Sequence, residues 1–183
     1  MSYFEEIVSK TFTFEGGYQC DPDDSANYYQ GELIGTNRGI SAVAYGTYLK
    51  RKPTVAEIKA ITPEIAKQVY KSMFWDKLLL DQVKSKGLAW IMFQYYIGDG
   101  NVMHLRRAID GYLESISGPA ISKGNQPFNK KLIDLINLQD AEELFNALKT
   151  YRYFRFDAIV EKYPSKKKFL NGWRNRLNKI TFS

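Results

Sequence analysis

The sequence predicts a mainly α-helical protein in which a long polar loop interrupts the helices near the start. Three observations predict it. Apolar residues recur at helical spacing through most of the chain, beginning with Phe4, Ile7, Val8, Thr11 and Phe12. Residues 18–39 break that period and are rich in Gly, Asp, Asn and Pro. Within residues 85–97 the run GLAWIMFQYYI is almost wholly apolar, as a buried central helix requires. With 44% apolar residues in 183, the chain is long enough to bury a core.

The elements follow in order. A first amphipathic helix covers residues 3–14 and stops at Gly16-Gly17, where glycine accepts the left-handed backbone that ends a helix. Glu15 is then on or just past the last turn, facing the negative end of the helix dipole, which disfavours its ionised form. Residues 18–39 form the loop, with a short hairpin around Thr36 to Ser41. Residues 40–50 have weak helical character. Pro53-Thr54 opens a short helix, 54–60. Thr62 caps the next, with Pro63 at its first position. That helix turns Ile65, Val69, Tyr70 and Met73 towards the core. The central helix, 85–97, ends at Gly98-Asp99-Gly100. Further helices cover 101–113, 129–137 and 141–162, the last capped by Asp140, with a Gly/Ser/Pro loop over 115–128. Pro164 sets apart a final helix over about 166–180.

Composition narrows the function. Cys20 is the only cysteine and His104 the only histidine, so an intramolecular disulfide is excluded and a structural zinc site is not expected. Secreted domains of this size are usually cysteine-rich, so the chain suits a reducing compartment at synthesis. The start, MSYFEEIVSK, lacks the basic and apolar regions of a signal peptide, and no run is apolar for long enough to cross a bilayer. The expectation is a chain made in the bacterial cytoplasm that reaches any outside target by release or export. Residues 151–183 hold nine Lys/Arg against two acids, a net of +7, which leaves −1 for the rest. Such a region suits an anionic polymer (nucleic acid, teichoic acid or peptidoglycan), or is simply a solvated helix face, as Lys166-Lys167-Lys168 could be. No DNA-reading motif is present, so nucleic acid is not an expected partner. His104 reads as structural or surface, Cys20 as an incidental thiol, and Trp75 and Trp173 as core.

Glu15 is the first candidate for chemistry. Cleaving a glycosidic bond needs a proton donor beside the leaving oxygen and a second polar group, usually a carboxylate, across the sugar. Glu15 follows Phe14 at the end of an apolar helix, and Asp21, Asp23 and Asp24 lie in a loop able to fold back across it. The residues alone leave other readings open: a plain helix end, a turn cluster, or a weak calcium site. The Asp spacing lacks the glycine and terminal Glu of an EF-hand loop.

Phe14-Glu15-Gly16-Gly17-Tyr18, then Asp21-Pro22-Asp23-Asp24, then Thr36-Asn37-Arg38-Gly39-Ile40-Ser41 together resemble glycoside hydrolase family 108. Tyr70 and Phe74-Trp75-Asp76 continue the likeness. The stretch from Gly118-Pro119 to Phe169-Leu170-x-Gly172-Trp173-x-Asn175-Arg176 is similar to the family's companion peptidoglycan-binding region. The resemblance implies a lysozyme-like fold, with a catalytic region over 1–84 and a helical wall-binding region over 85–183 packed on it. It implies an N-acetylmuramidase acting on peptidoglycan, monomeric and without metal or organic cofactor. By the same resemblance Glu15 is the general acid, Asp24 (or Asp21 or Asp23) the second carboxylate, and Thr36 holds water or substrate. Tyr18, Asp21, Asp23 and Gln94 would contact the glycan. Some relatives are labelled secretion activators, so a wall-binding protein without turnover is the rival reading. Two departures stand out. The link SANYYQGELIG is longer than usual, and Gln94 and Gly98 stand where relatives commonly carry Asp and Asn. The second departure implies altered substrate contacts, or a compensating group nearby.

Overall fold

Phe4, Ile7, Val8 and Thr11 make the buried face of α1 (Tyr3–Phe12), the first element of a computed structural model that describes residues 2–12 and 16–182. Two compact units divide the chain, Met1–Lys77 and Leu78–Ser183. In the first unit the Phe4 ring meets the edge of Trp75 at 5.2 Å between centroids, and Phe12 lies 5.9 Å from Tyr70. Such aromatic contacts add to the area they bury. Glu5 and Lys67 form an ion pair at 2.9 Å, joining α1 to α4 (Pro63–Tyr70).

Two hairpins fill the loop. β3 (Thr36–Asn37) pairs antiparallel with β4 (Ile40–Ser41), where the sequence predicts a hairpin. Its two turn residues, Arg38 and Gly39, have φ of 50° and 72°, as a tight two-residue hairpin turn demands. The other hairpin, β1 (Tyr28–Tyr29) with β2 (Glu32–Leu33), turns through Gln30 and Gly31, again both at positive φ. The sequence reading has no strand there. Gly46 in α2 (Ala42–Leu49) accommodates this hairpin, since a Cβ at that position would sit 2.6 Å from the Tyr29 ring.

Capping explains the helices that follow. Ser41 opens α2 by accepting from the Ala44 amide. Thr54 opens α3 (Val55–Lys59) with a reciprocal capping box to Glu57. The Arg51 guanidinium, then the Thr54 amide, hold the Glu57 carboxyl down to about 2. Thr62 caps α4, and Pro63 occupies its first turn. On α4 Val69 and Tyr70 are buried as predicted, together with Ala66, whereas Ile65, and Met73 beyond the helix end, are only half-buried. A π-helical turn over Lys71–Trp75 follows α4 and accounts for Met73. Its extra residue per turn swings Phe74 and Trp75 inwards and leaves Met73 at the side.

The second unit is built on α5 (Lys86–Asp99), which packs against α8 (Ala141–Lys162) and α6 (Met103–Ser115). Leu88, Ile91, Met92, Phe93 and Tyr95 are buried on α5, and Leu144, Phe145 and Leu148 on α8. The Tyr95 hydroxyl donates to the Leu148 carbonyl at 2.7 Å, and burial pushes its pKa far above the ordinary phenol range. α5 runs two residues past the predicted end, through Gly98 and Asp99, and stops where Gly100 turns left-handed at φ 67°. Loop 116–129 is fastened to α6 by two buried side chains. Arg106 donates to the carbonyls of Ser122, Gln126 and Pro127, and Asp110 accepts from the Ile121 amide and pairs with Lys123. α7 (Lys130–Ile136) and α9 (Lys167–Asn178) complete the unit. α9 lies along α8 through the stack of Trp173 on Phe156 and Phe169.

Asp99 is the one acid at the meeting of α5 and α8 among the described ion pairs with both partners under a quarter exposed. Arg152 reaches it at 2.5 Å and Arg155 at 3.2 Å, and the Arg152 guanidinium also lies over the Tyr95 ring. A Cβ at Gly98 would collide with that guanidinium. Arg152 thus occupies the place that a side chain at position 98 would take. Nearby His104 is held below its ordinary pKa by burial, then by Arg155, so its neutral form is favoured. Removing one partner of a buried pair leaves a charge without compensation. Arg152→Leu is therefore expected to lower the unfolding free energy by about 3 kcal/mol, with Arg155 retaining part of the interaction. Denaturant unfolding measures this, and a loss under about 1 kcal/mol would show that Arg155 suffices alone.

Candidate active site

Gly35 has φ of 101°, and this backbone lets the chain pass under the Tyr18 ring. A Cβ there would lie 2.6 Å from that ring and 2.8 Å from the Gln19 carbonyl. Tyr18 is pinned in turn. Its hydroxyl donates to the Ile34 carbonyl at 3.0 Å, and the Lys59 ammonium stands 4.9 Å from its ring centre. The Cys20 thiol, hydrogen-bonded to the phenol, and then partial burial raise the Tyr18 pKa. Cys20 therefore has a local contact in the Tyr18 phenol.

Next along the chain, Gln19 and Thr36 form an isolated antiparallel bridge. The Gln19 amide donates to the Thr36 carbonyl at 2.8 Å, and the Thr36 amide donates back at 2.9 Å. This bridge sets the acid loop beside the threonine. Within the loop, Asp21 accepts from the Asp23 amide at 2.8 Å, an Asx turn of the kind these residues favour. Asp24 caps the 3-10 turn Ser25–Asn27 by accepting from the Ala26 amide at 3.0 Å. Its other oxygen accepts from the Gln19 side-chain amide at 3.2 Å. Asp23 is exposed, while Asp21 and Asp24 are half-buried. Among the described residues no three His, Cys, Asp or Glu side chains converge as metal ligands would.

Thr36 has both backbone groups in the bridge, yet its hydroxyl oxygen is buried with no hydrogen-bond partner among the described residues. A buried oxygen in that state costs free energy unless something fills its capacity. In chemical terms the arrangement offers a fixed carboxylate and, on a neighbouring segment, a hydroxyl with no partner among the described residues. Glu15, the predicted acid, lies outside the described residues together with Thr13 and Phe14. Gln94, predicted to contact substrate, is buried on α5 in the second unit. The first unit thus brings together Tyr18, Asp21, Asp23, Asp24 and Thr36.

Two further residues organise these five, and the sequence does not single them out. They are Gln19 and Asn27. Asn27 is fully buried, and its amide donates to the Gln19 side-chain oxygen at 2.8 Å and to the Asp21 carbonyl at 2.9 Å. Its backbone carbonyl accepts from the Ile34 and Gly35 amides, and its side-chain Oδ1 is buried with no hydrogen-bond partner among the described residues. Neither residue carries a periodic or motif signal. Their partners are read only from the fold.

The glycosyl hydrolase 108 family model matches residues 8–100, just over half of the chain. The chain belongs to glycosyl hydrolase family 108. The matched stretch contains the Glu15-Gly16-Gly17-Tyr18 segment, the acid loop and Thr36, and it ends just past α5. The solved structure of Brucella abortus SagA aligns with a TM-score of 0.73 at 22% identity, covering 97% of this chain and 90% of that one. At that identity the likeness shows a shared fold, mainly α with a short hairpin, as the sequence predicts for a lysozyme-like chain of family 108. No curated protein matches the chain.

Gly35→Ala tests the local geometry. The substitution combines a disfavoured backbone with a collision against Tyr18, so it is expected to destabilise the protein by about 2–3 kcal/mol. Thermal unfolding reads the change, and a melting point within a degree of wild type would refute the packing described for Tyr18.

Proposed function

We propose that this family 108 protein is an endo-acting muramidase, hydrolysing the β-1,4 bond between N-acetylmuramic acid and N-acetylglucosamine in peptidoglycan. The observation that carries the reading is the Gln19–Thr36 bridge, in which Gln19 pairs with Thr36 through its backbone and donates to Asp24 through its side chain, a few residues along the sequence from Glu15. Glu15 protonates the leaving oxygen. Asp24 acts as the second carboxylate, and Thr36 holds water or the sugar. Tyr18, Asp21 and Asp23 line the glycan's path. No step calls for a metal or an organic cofactor.

Turnover on purified cell walls tests this. Glu15→Gln keeps the size of the side chain but supplies no titrating acid, so lysis is expected to fall by about two orders of magnitude or more, with folding nearly unchanged. Asp24→Asn keeps the helix cap, because Asn serves that position as well as Asp, and yet loses the charge. It is expected to lower turnover more than Asp21→Asn or Asp23→Asn. Mass spectrometry of the released fragments identifies the bond from the sugar at the new end. A wall-binding protein without turnover would release no fragments, and wild-type lysis by Glu15→Gln would remove the central assignment.

The second part of the reading is that the basic C-terminal helices dock on the anionic wall. Lys167 and Lys168 are exposed and Lys166 half-exposed at the start of α9, within a region of net +7. Replacing the three by Gln is expected to weaken sedimentation with insoluble peptidoglycan at low salt and to matter less at physiological salt, where charges are screened within about 8 Å. Turnover on short soluble glycans should not change. Equal binding at every salt concentration would return these lysines to a solvated face.

A further inference from the structure

We propose that Gln19 is the positioning residue for the second carboxylate, its side-chain amide fixing the orientation of Asp24. The proposal rests on the reading of Asp24 given above. Gln19 is exposed, and an exposed glutamine is ordinarily free to rotate, yet this one is held at both ends of its amide. Its oxygen accepts from the Asp21 backbone amide at 3.0 Å and from the Asn27 side chain at 2.8 Å. Two donors converge on that atom, so it must be the oxygen, and the amide nitrogen must face the other way. There it donates to Asp24 at 3.2 Å. Asn27 cannot drift, because it is fully buried and its backbone carbonyl accepts from Ile34 and Gly35.

Only a side chain with an acceptor and a donor at this reach meets both demands. Leucine meets neither. Glutamate would satisfy Asp21 and Asn27 but would turn an oxygen towards Asp24. Without Gln19 the Asp24 carboxylate keeps the Ala26 amide alone, on one oxygen, and is free to swing about it. A group displaced by a fraction of an ångström from its reacting position loses rate without losing binding. Other titratable side chains on this segment are Asp21 and Asp23 on the acid loop, Tyr28, whose hydroxyl donates to the Pro22 carbonyl, and Tyr18, Cys20 and Lys59 around the bridge. The Gln19 nitrogen is directed at Asp24.

The pH dependence of kcat/KM on purified peptidoglycan distinguishes positioning from general support. In Gln19→Glu the two accepting bonds remain, so the melting point should stay near wild type. The new carboxylate oxygen then meets Asp24, and two carboxylates so close do not ionise together readily. The acidic limb of the profile is expected to move up by about one pH unit. Gln19→Leu is expected to lower kcat by about tenfold or more while KM changes less than about twofold. Asp24→Asn alone lowers kcat, and adding Gln19→Glu to it should produce no further shift of the acidic limb. If Asp24→Asn is impaired while the Gln19→Glu profile superposes on wild type, the positioning role is wrong. Full activity in Asp24→Asn overturns the reading of Asp24 itself, and the proposal with it.

Discussion

The hydrogen bond from Asn27 to the Gln19 side chain holds the loop between α1 and α2 together. That segment carries few apolar groups, so hydrophobic burial cannot set its shape. Ile34 and Ile40 are buried and anchor its far end. The near end carries Gln19, Asp21, Asp23 and Asp24, which must stay at the surface. Asn27 joins the two ends, reaching Gln19 and Asp21 with its side chain and Ile34 and Gly35 with its backbone. The Asn27 side-chain nitrogen finds both of its acceptors where these segments meet, while its Oδ1 is buried without a partner among the described residues. The loop geometry follows from that one buried amide. Gln19 is then placed to pair with Thr36, and Asp24 to receive the Gln19 amide.

The second unit meets a different constraint with a related device. A glycine near the end of α5 leaves room, and Arg152 from α8 fills it while pairing with Asp99. Arg152 has the Tyr95 and Phe156 rings against its guanidinium, so the charge is stacked as well as paired. The sequence departure at position 98 thus coincides with a group from another helix standing in the same place. Buried ion pairs add little net stability against well-packed apolar residues, but they define which partners belong together. The fixed register between α5 and α8 is consistent with that role.

The sequence made much of this legible where local chemistry decides the structure. Asp140 and Pro164 bracket α8, and its observed bounds are Ala141–Lys162 as predicted. Thr62-Pro63 fixes the start of α4, and Arg38-Gly39 fixes the turn of the second hairpin. The first hairpin was legible in principle, since Gln30-Gly31 carries glycine at the second turn position. Its strands are two residues each, too short to show alternation. The π-helical turn leaves no sequence mark, so Met73 is expected in the core where Phe74 and Trp75 are buried instead. At the candidate site, Asp21, Asp23 and Asp24 stand out by their place in the loop after α1, whereas Tyr18 and Thr36 rest on the motif resemblance alone. Gln19 and Asn27 escaped because their bonds join residues whose pairing no periodicity announces.

Thr36 shows why a site of this kind combines rigidity with an unmet bond. Its amide and carbonyl are both taken by Gln19, so the residue cannot rotate as a unit. Its hydroxyl, buried and without a partner among the described residues, keeps full capacity to donate and accept. A fold optimised for stability alone would place valine there, which has the same shape and no polar atom to desolvate. A buried hydroxyl that found no partner would be a stability penalty, and groups carried at a penalty cluster where structure serves chemistry. A hydroxyl already held in place loses little further freedom when it binds water or a sugar. The same bridge that removes the backbone's freedom also fixes the place of that oxygen.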